Sequence, residues 1–163
     1  MKKYILYLFS AALVLSLASA LPHTALASGG GSWSAPASSA PSDPDLDRAK
    51  TAIKAKNWDR AVEFLNKAEA RDPRNAEIHN QLGFAERNRG NLDAAFMEYE
   101  LALTLDPKHR GAHEYIGEAY LMAGNLAKAE EHLAILDKLC IFRCEEYSDL
   151  KAAIARYKQE HPK

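Results

Sequence analysis

A block of sequence that returns after 34 residues constrains this chain more than any other feature. Gly83, Gly90, Asn91, Leu92 and Ala95 are answered by Gly117, Gly124, Asn125, Leu126 and Ala129. In the other direction, Asn91, Asp93, Ala95, Ala102, Asp106 and Pro107 are answered by Asn57, Asp59, Ala61, Ala68, Asp72 and Pro73. A fixed period of this length marks an array of helical hairpins, in which each unit buries its apolar face only by stacking on the next.

The apolar spacing inside each unit supports helices. Asp43-Pro44 is a capping residue followed by proline in a first turn, and the first helix runs to about Ala55 with Leu46, Ala49, Ala52 and Ile53 on one face. Asn57 caps the next, which carries Trp58, Ala61, Val62, Leu65 and Ala68. In the second pair Ile78, Leu82 and Ala85 face inward, Gly90 stops the helix, and Asn91 caps a return helix with Leu92, Ala95, Phe96, Tyr99, Ala102 and Leu103. The third pair sets Ala112, Ile116, Ala119, Tyr120 and Ala123 inward, then Leu126, Ala129, Leu133 and Leu136 after the Gly124-Asn125 turn. A last helix over about 145–159 has Tyr147, Leu150, Ala153, Ile154 and Tyr157 on one side and Lys151, Arg156, Lys158 and Glu160 on the other. One wet face is what the terminal element of a stacked array needs.

Residues 1–27 read as a secretory leader. Lys2 and Lys3 precede an uncharged apolar run from Tyr4 to Ala20, and Ala25-Leu26-Ala27 places small residues where a signal peptidase reads. Cleavage after Ala27 is expected; a cut after Ala20 is the alternative, disfavoured by Pro22, and an uncleaved anchor helix is a further reading. With no cysteine here a lipoprotein anchor is not expected, and export to a bacterial periplasm is. Residues 28–42 are Gly, Ser, Ala and Pro around a single Trp33, a composition that cannot bury enough apolar surface to offset the entropy of ordering. Folded structure is therefore expected over 43–163. The formal charge of the chain is -1, and loss of 1–27 with its two lysines leaves -3, which gives no electrostatic case for nucleic acid or for a membrane surface after leader cleavage.

The repeat units resemble the tetratricopeptide repeat (TPR) family, whose pattern runs aromatic-x2-Leu-Gly-x2-Tyr, Ala-x3-Phe, Pro. The second unit reads His79-x2-Leu82-Gly83-x2-Glu86, Ala95-x3-Tyr99, Pro107, and the third His113-x2-Ile116-Gly117-x2-Tyr120, Ala129-x3-Leu133, with Ile141 in place of proline. The first, Asp45-x2-Arg48-Ala49-x2-Ala52, Ala61-x3-Leu65, Pro73, has a degenerate first helix. The chain is also similar to small exported bacterial TPR proteins with a C-terminal C-x3-C-E-E-Y segment. The resemblance implies an all-α fold: three helix pairs in a right-handed superhelix, plus a C-terminal capping helix. It implies a protein-interaction scaffold whose concave surface is lined by the first helix of each pair. Mapped onto this sequence, the lining is Lys50, Lys54, Glu77, Asn80, Phe84, Arg87, Asn88, Glu114, Tyr115 and Glu118. That mixture of polar groups with two aromatics suits an extended protein or peptide partner. The acids Glu77, Glu114 and Glu118 oppose a clamp for a peptide's terminal carboxylate.

Cys140 and Cys144 are the only cysteines, and in an oxidising compartment a disulfide between them is expected. It would staple the last helix to the array, a gain on the order of 2 kcal/mol for so short a loop. A thiol- or metal-handling role for the pair stays open as the second functional reading. His109 and His113 are four apart and could in principle share a metal, but His113 occupies the large packing position that His79 holds one unit earlier. No nucleophile triad, phosphate loop or paired-carboxylate motif stands out. An enzyme, a resident cofactor and a metal are accordingly not expected.

Overall fold

The computed structural model describes residues 43–142 and 144–162. The leader assigned to 1–27 and the linker at 28–42 with Trp33 lie outside the described residues. Among the described residues seven α-helices follow one another: α1 (Pro44–Lys54), α2 (Trp58–Glu69), α3 (Ala76–Arg89), α4 (Leu92–Leu105), α5 (Arg110–Met122), α6 (Leu126–Leu139) and α7 (Glu145–Glu160). They form three antiparallel pairs and a final helix.

Local chemistry sets the boundaries. The Asp43 carboxylate accepts from the backbone N–H groups of Asp45 (2.8 Å) and Leu46 (3.2 Å), with Pro44 at the first helical position. Arg71, just past α2, donates to Asp43 (2.6 Å) and to Asp45 (2.7 Å), tying the start of α1 to the end of its partner. Burial opposes ionisation of Asp43, but the Arg71 hydrogen bonds outweigh it and hold the carboxyl at about 2. Asn57, Asn75 and Asn125 cap α2, α3 and α6 through their side chains. Asn91 departs from the expected pattern: it stands at the start of α4 without a side-chain capping bond, and its amide donates to Glu86 at 2.6 Å instead.

Gly90 and Gly124 end the first helices of their pairs at φ 91° and 76°. The equivalent position of the first pair is Lys56, at φ 55°. A side chain in that region costs roughly 1 kcal/mol that glycine avoids. Lys56→Gly is therefore expected to raise stability by about 0.5 to 1 kcal/mol in urea melts.

The core is a continuous stack. Leu46, Ala49, Leu65 and Ile78 join the first two pairs; Ala95, Tyr99, Ile116 and Ala119 join the second to the third; Leu121, Leu136, Leu150 and Ile154 seat α7. Ala123, expected to face inward, is exposed because α5 ends one residue earlier and Ala123 serves as its C-terminal cap. Two glycines at one repeat position decide how closely helices cross. A Cβ at Gly83 would lie 2.6 Å from the Tyr99 ring, and one at Gly117 would lie 2.6 Å from Leu150. Where the second pair has Tyr99, the third has the smaller Leu133, and Leu150 of α7 fills the space over Gly117.

A polar device also repeats. Nε2 of His79 meets the Pro73 carbonyl at 3.0 Å and Nε2 of His113 meets the Pro107 carbonyl at 3.1 Å. A carbonyl only accepts, so each Nε2 carries a proton. The other ring nitrogen of His79 meets Glu98 at 2.8 Å, and that of His113 meets Nδ1 of His132 at 2.9 Å. Burial lowers His79, but the Pro73 carbonyl and Glu98 outweigh it and raise the imidazole above its ordinary value. No carboxylate is hydrogen-bonded to His132, and burial, with His113 beside it, outweighs the nearby Glu131 and pushes it down to about 4. Its contribution to stability is present above the unfolded value of 6.5 and fades as pH falls toward 4. His132→Glu would rebuild the His79–Glu98 pair one unit later. It is expected to raise stability near pH 5 by about 1 to 2 kcal/mol after allowance for solvent screening, and by less at pH 8, read from urea melts at both pH values.

Candidate functional site

The backbones of α1 and α3, of α3 and α5 and of α5 and α7 approach one another, while those of α2, α4 and α6 do not. The first helices of the pairs therefore lie closer together and line the inner side of the curve. All ten partner-facing residues expected from the sequence sit on these helices.

The middle of this face is aromatic. Trp58 meets Phe84 edge-on with ring centres 6.0 Å apart, and Phe84 meets Tyr115 at 4.8 Å. Phe84 and Tyr115 stand on the first helices α3 and α5, Trp58 opens α2, the second helix of its pair, and all three rings are half-buried. Arg87 lies against Phe84 and Tyr115, 5.4 and 5.6 Å from their centres, and pairs with Glu118. The Arg87 side chain is only 10% exposed, so it holds the rings and Glu118 in place more than it offers a free cation. Burial, with Glu114 nearby, raises the Tyr115 phenol to about 12.

Ion pairs lace the same face from helix to helix. Lys50 of α1 meets Glu77 of α3 at 3.1 Å, His109 at the start of α5 meets Glu77 at 3.3 Å, and Arg110 of α5 meets Glu146 of α7 at 3.5 Å. Burial pushes the Glu77 carboxyl up, but the bonds from His109 and Lys50 prevail and hold it at about 2. Lys54 is exposed at the end of α1, and Asn88 turns back to donate to the Phe84 carbonyl at 2.8 Å. Asn80 and Glu114 lie deeper than a contact surface requires, 2% and 8% exposed. Burial raises the Glu114 carboxyl to about 8, reinforced by Glu118, Asp149 and Glu146 and opposed by Arg87.

Five residues were not legible as site residues: Trp58 reads from its spacing as core, His109 reads at most as half of a metal pair with His113, and Glu145, Glu146 and Asp149 belong to no motif and sit in the first turns of a helix, where the dipole favours acids in any case. His109 does cap α5, accepting from the Ala112 N–H at 3.1 Å, and it looks toward Glu77 while His113 looks toward His132. The two histidines therefore do not converge. Among the described residues no group of three or more His, Cys, Asp or Glu is placed to hold a metal.

Cys140 ends α6 and Cys144 begins α7; their sulfurs are at bonding distance, 1.95 Å, with Cα atoms 5.7 Å apart. The link lies at the junction where a staple between array and cap was expected. Ile141 and Phe142 stand exposed inside it.

The tetratricopeptide repeat family profile matches residues 46–110 and 98–140, together more than half of the chain. No curated protein sequence matches it. Among solved structures, the Arabidopsis OM64 TPR domain is 20% identical, with a TM-score of 0.64 over 72% of this chain and 93% of that one. The Yersinia enterocolitica type III secretion chaperone SycD, solved with a peptide of the translocator YopD, is 19% identical, with a TM-score of 0.61 over 71% and 88%. The second TPR domain of human RPAP3, solved with an HSP70 peptide, is 21% identical, with a TM-score of 0.59 over 67% and 91%. At these identities the likeness establishes the fold, and it agrees with the 34-residue period, the paired helices and the close crossings at Gly83 and Gly117. The chain belongs to the tetratricopeptide repeat family.

Proposed function

We propose that this chain is an exported interaction module that holds an extended segment of a protein partner along its inner face. The observation that carries the reading is the half-buried aromatic pair Phe84–Tyr115 on the first helices α3 and α5, which Trp58 at the start of α2 extends toward the first pair. Flat rings on a rigid scaffold offer contact area with little side-chain entropy to lose, which is what an extended peptide needs. Peptide-bound SycD and RPAP3 share the fold and support the reading by analogy. Export is inferred from the sequence of residues 1–27 alone, and periplasmic location is part of the proposal.

The test is capture from a periplasmic extract with the purified chain as bait, beside a Phe84→Ala/Tyr115→Ala variant. Arg87 is left intact, because reversing a buried, paired charge would test folding instead. The expected result is a partner retained by the wild-type chain and lost, by at least about tenfold, from the variant while its helical circular dichroism persists. Equal capture by both would remove the inner face as the binding surface.

A further inference from the structure

At the C-terminal end of the inner face, α3, α5 and the first turns of α7 enclose a cleft of about 340 Å³. Its walls carry Glu77, Glu114, Glu145, Glu146 and Asp149, with Asn80 on α3 and His109 at the start of α5. Protein cations already answer two of these acids: Lys50 and His109 meet Glu77, and Arg110 meets Glu146. Glu114 and Asp149 have no hydrogen-bond or ion-pair partner among the described residues. An acidic cluster alone says little, since charges on a repeat surface are commonly just hydrated. Two buried groups say more. Glu114 is nine-tenths buried and unpartnered, and the amide oxygen of Asn80, 2% exposed, accepts nothing. The Asn80 amide nitrogen is already turned toward Glu77 at 3.4 Å, so what the side chain leaves open is an acceptor. Buried polar groups are ordinarily satisfied, and the unmet Asn80 oxygen beside a Glu114 carboxyl that only a neighbouring cation would hold ionised points to a missing cationic donor. Gly111 lines the same cleft, and a Cβ there would come 3.3 Å from the Asn80 amide.

We propose that this cleft is a specificity subsite that receives a lysine or arginine side chain of the bound peptide, seating its cationic head against Glu114, Asp149 and the Asn80 amide oxygen. A basic side chain supplies only donors, carries the opposite charge, and has an apolar stem long enough to reach buried acceptors past Tyr115. A metal ion fits poorly, because these carboxylates do not converge as ligands. The proposal rests on the peptide-holding reading above and gives that peptide a sign: basic, opposite to the acidic tails that carboxylate-clamp members of this fold would take. It also gives the buried Glu114 a use. An arriving cation favours its ionised form, so binding releases a proton and strengthens as pH rises. Glu118, Tyr115 and His109 at and on α5, Arg87 and Glu77 on α3, and Glu146 and Asp149 on α7 all face this group and set the remainder of the response.

The test is fluorescence anisotropy with the full purified chain and end-blocked, fluorescein-labelled nonapeptides alternating Ser with Arg, Lys or Glu, at about 0.15 M salt to suppress long-range attraction. The Arg or Lys peptide is expected to bind and the Glu peptide not. Glu114→Gln/Asp149→Asn is expected to weaken binding about tenfold and to flatten its rise from about pH 6 to about pH 9, without a lower melting temperature, since the change removes unpaired charge. Glu100→Gln, on α4 away from the cleft, is expected to leave both readouts unchanged. Equal loss in Glu100→Gln, or no loss in the cleft variant, would overturn the subsite. So would displacement of the peptide by calcium chloride at constant ionic strength, or by spermidine as effectively as by unlabelled peptide, because the cleft would then serve a free cation. The two readings fail differently. If the subsite alone is wrong, peptides still depend on Phe84 and Tyr115 but ignore Glu114; if the scaffold reading is wrong, the Phe84→Ala/Tyr115→Ala variant changes nothing.

Discussion

Tyr99→Ala is expected to cost about 3 to 5 kcal/mol, enough to leave the domain largely unfolded at body temperature. Tyr99 is fully buried and is the bulkiest such side chain, lying over Gly83 and touching the cluster that joins the second pair to the third. In an array each unit is stable only through its neighbours, so removing this ring uncouples the two halves of the stack as well as leaving a cavity. The hydroxyl is a different matter. It is buried without a hydrogen bond of acceptable geometry, and burial raises its pKa well above the ordinary tyrosine value although Arg87 lies close enough to favour its anion. Tyr99→Phe removes a polar atom with no well-formed bond and is expected to change stability by less than about 1 kcal/mol in either direction. Urea melts of the two variants separate the contributions. A Phe variant as damaged as the Ala variant would show that contact with Arg87, and not ring packing, holds this junction.

Gly117→Val is expected to cost about 2 to 3 kcal/mol and to concentrate its damage in α7. Leu150 is fully buried and occupies the space a branched side chain would need, while the backbone on both sides is helical and has little room to shift. The cap would lift from α5. Hydrogen exchange should show the amides of α7 losing protection while those of α3 and α4 keep theirs. Adding Leu150→Ala to Gly117→Val should recover part of the loss, since it empties the space that the valine invades. Uniform loss of protection across all helices would instead mean that α7 and the array fold as one unit. The cleft described above has one wall on α7, so this variant should also lose its affinity for basic peptides.

Most of the architecture was legible because it is periodic. An asparagine cap in every unit, with a glycine stop in two of the three and a closing proline in two, bounded the helices to within a residue or two. What was missed lies where the period breaks. Lys56 takes the left-handed turn where glycine was lost, and lysine carries no sequence signal for that backbone. The shortfall at Leu133 gave no hint that Leu150 completes its layer, because the last helix stands outside the repeat. The inner face could be assigned only helix by helix. The sequence placed Arg87, Asn80 and Glu114 on the correct helices but not at their depth, which depends on how α3, α5 and α7 close around them. The acidic cleft needed residues from 77 to 149 to meet, and nothing local in the sequence pairs them.

The claim that a partner lies along the inner face can be read without knowing the partner. A photo-crosslinking side chain would be placed at Lys54 or Asn88, exposed on α1 and α3, and for comparison at Met97 or Leu101, exposed on α4, in the full chain expressed in a bacterial host. Covalent adducts from positions 54 and 88, suppressed by Phe84→Ala/Tyr115→Ala and absent from 97 and 101, are the expected result. Adducts from 97 and 101 in place of 54 and 88 would contradict it and move the partner to the outer helices.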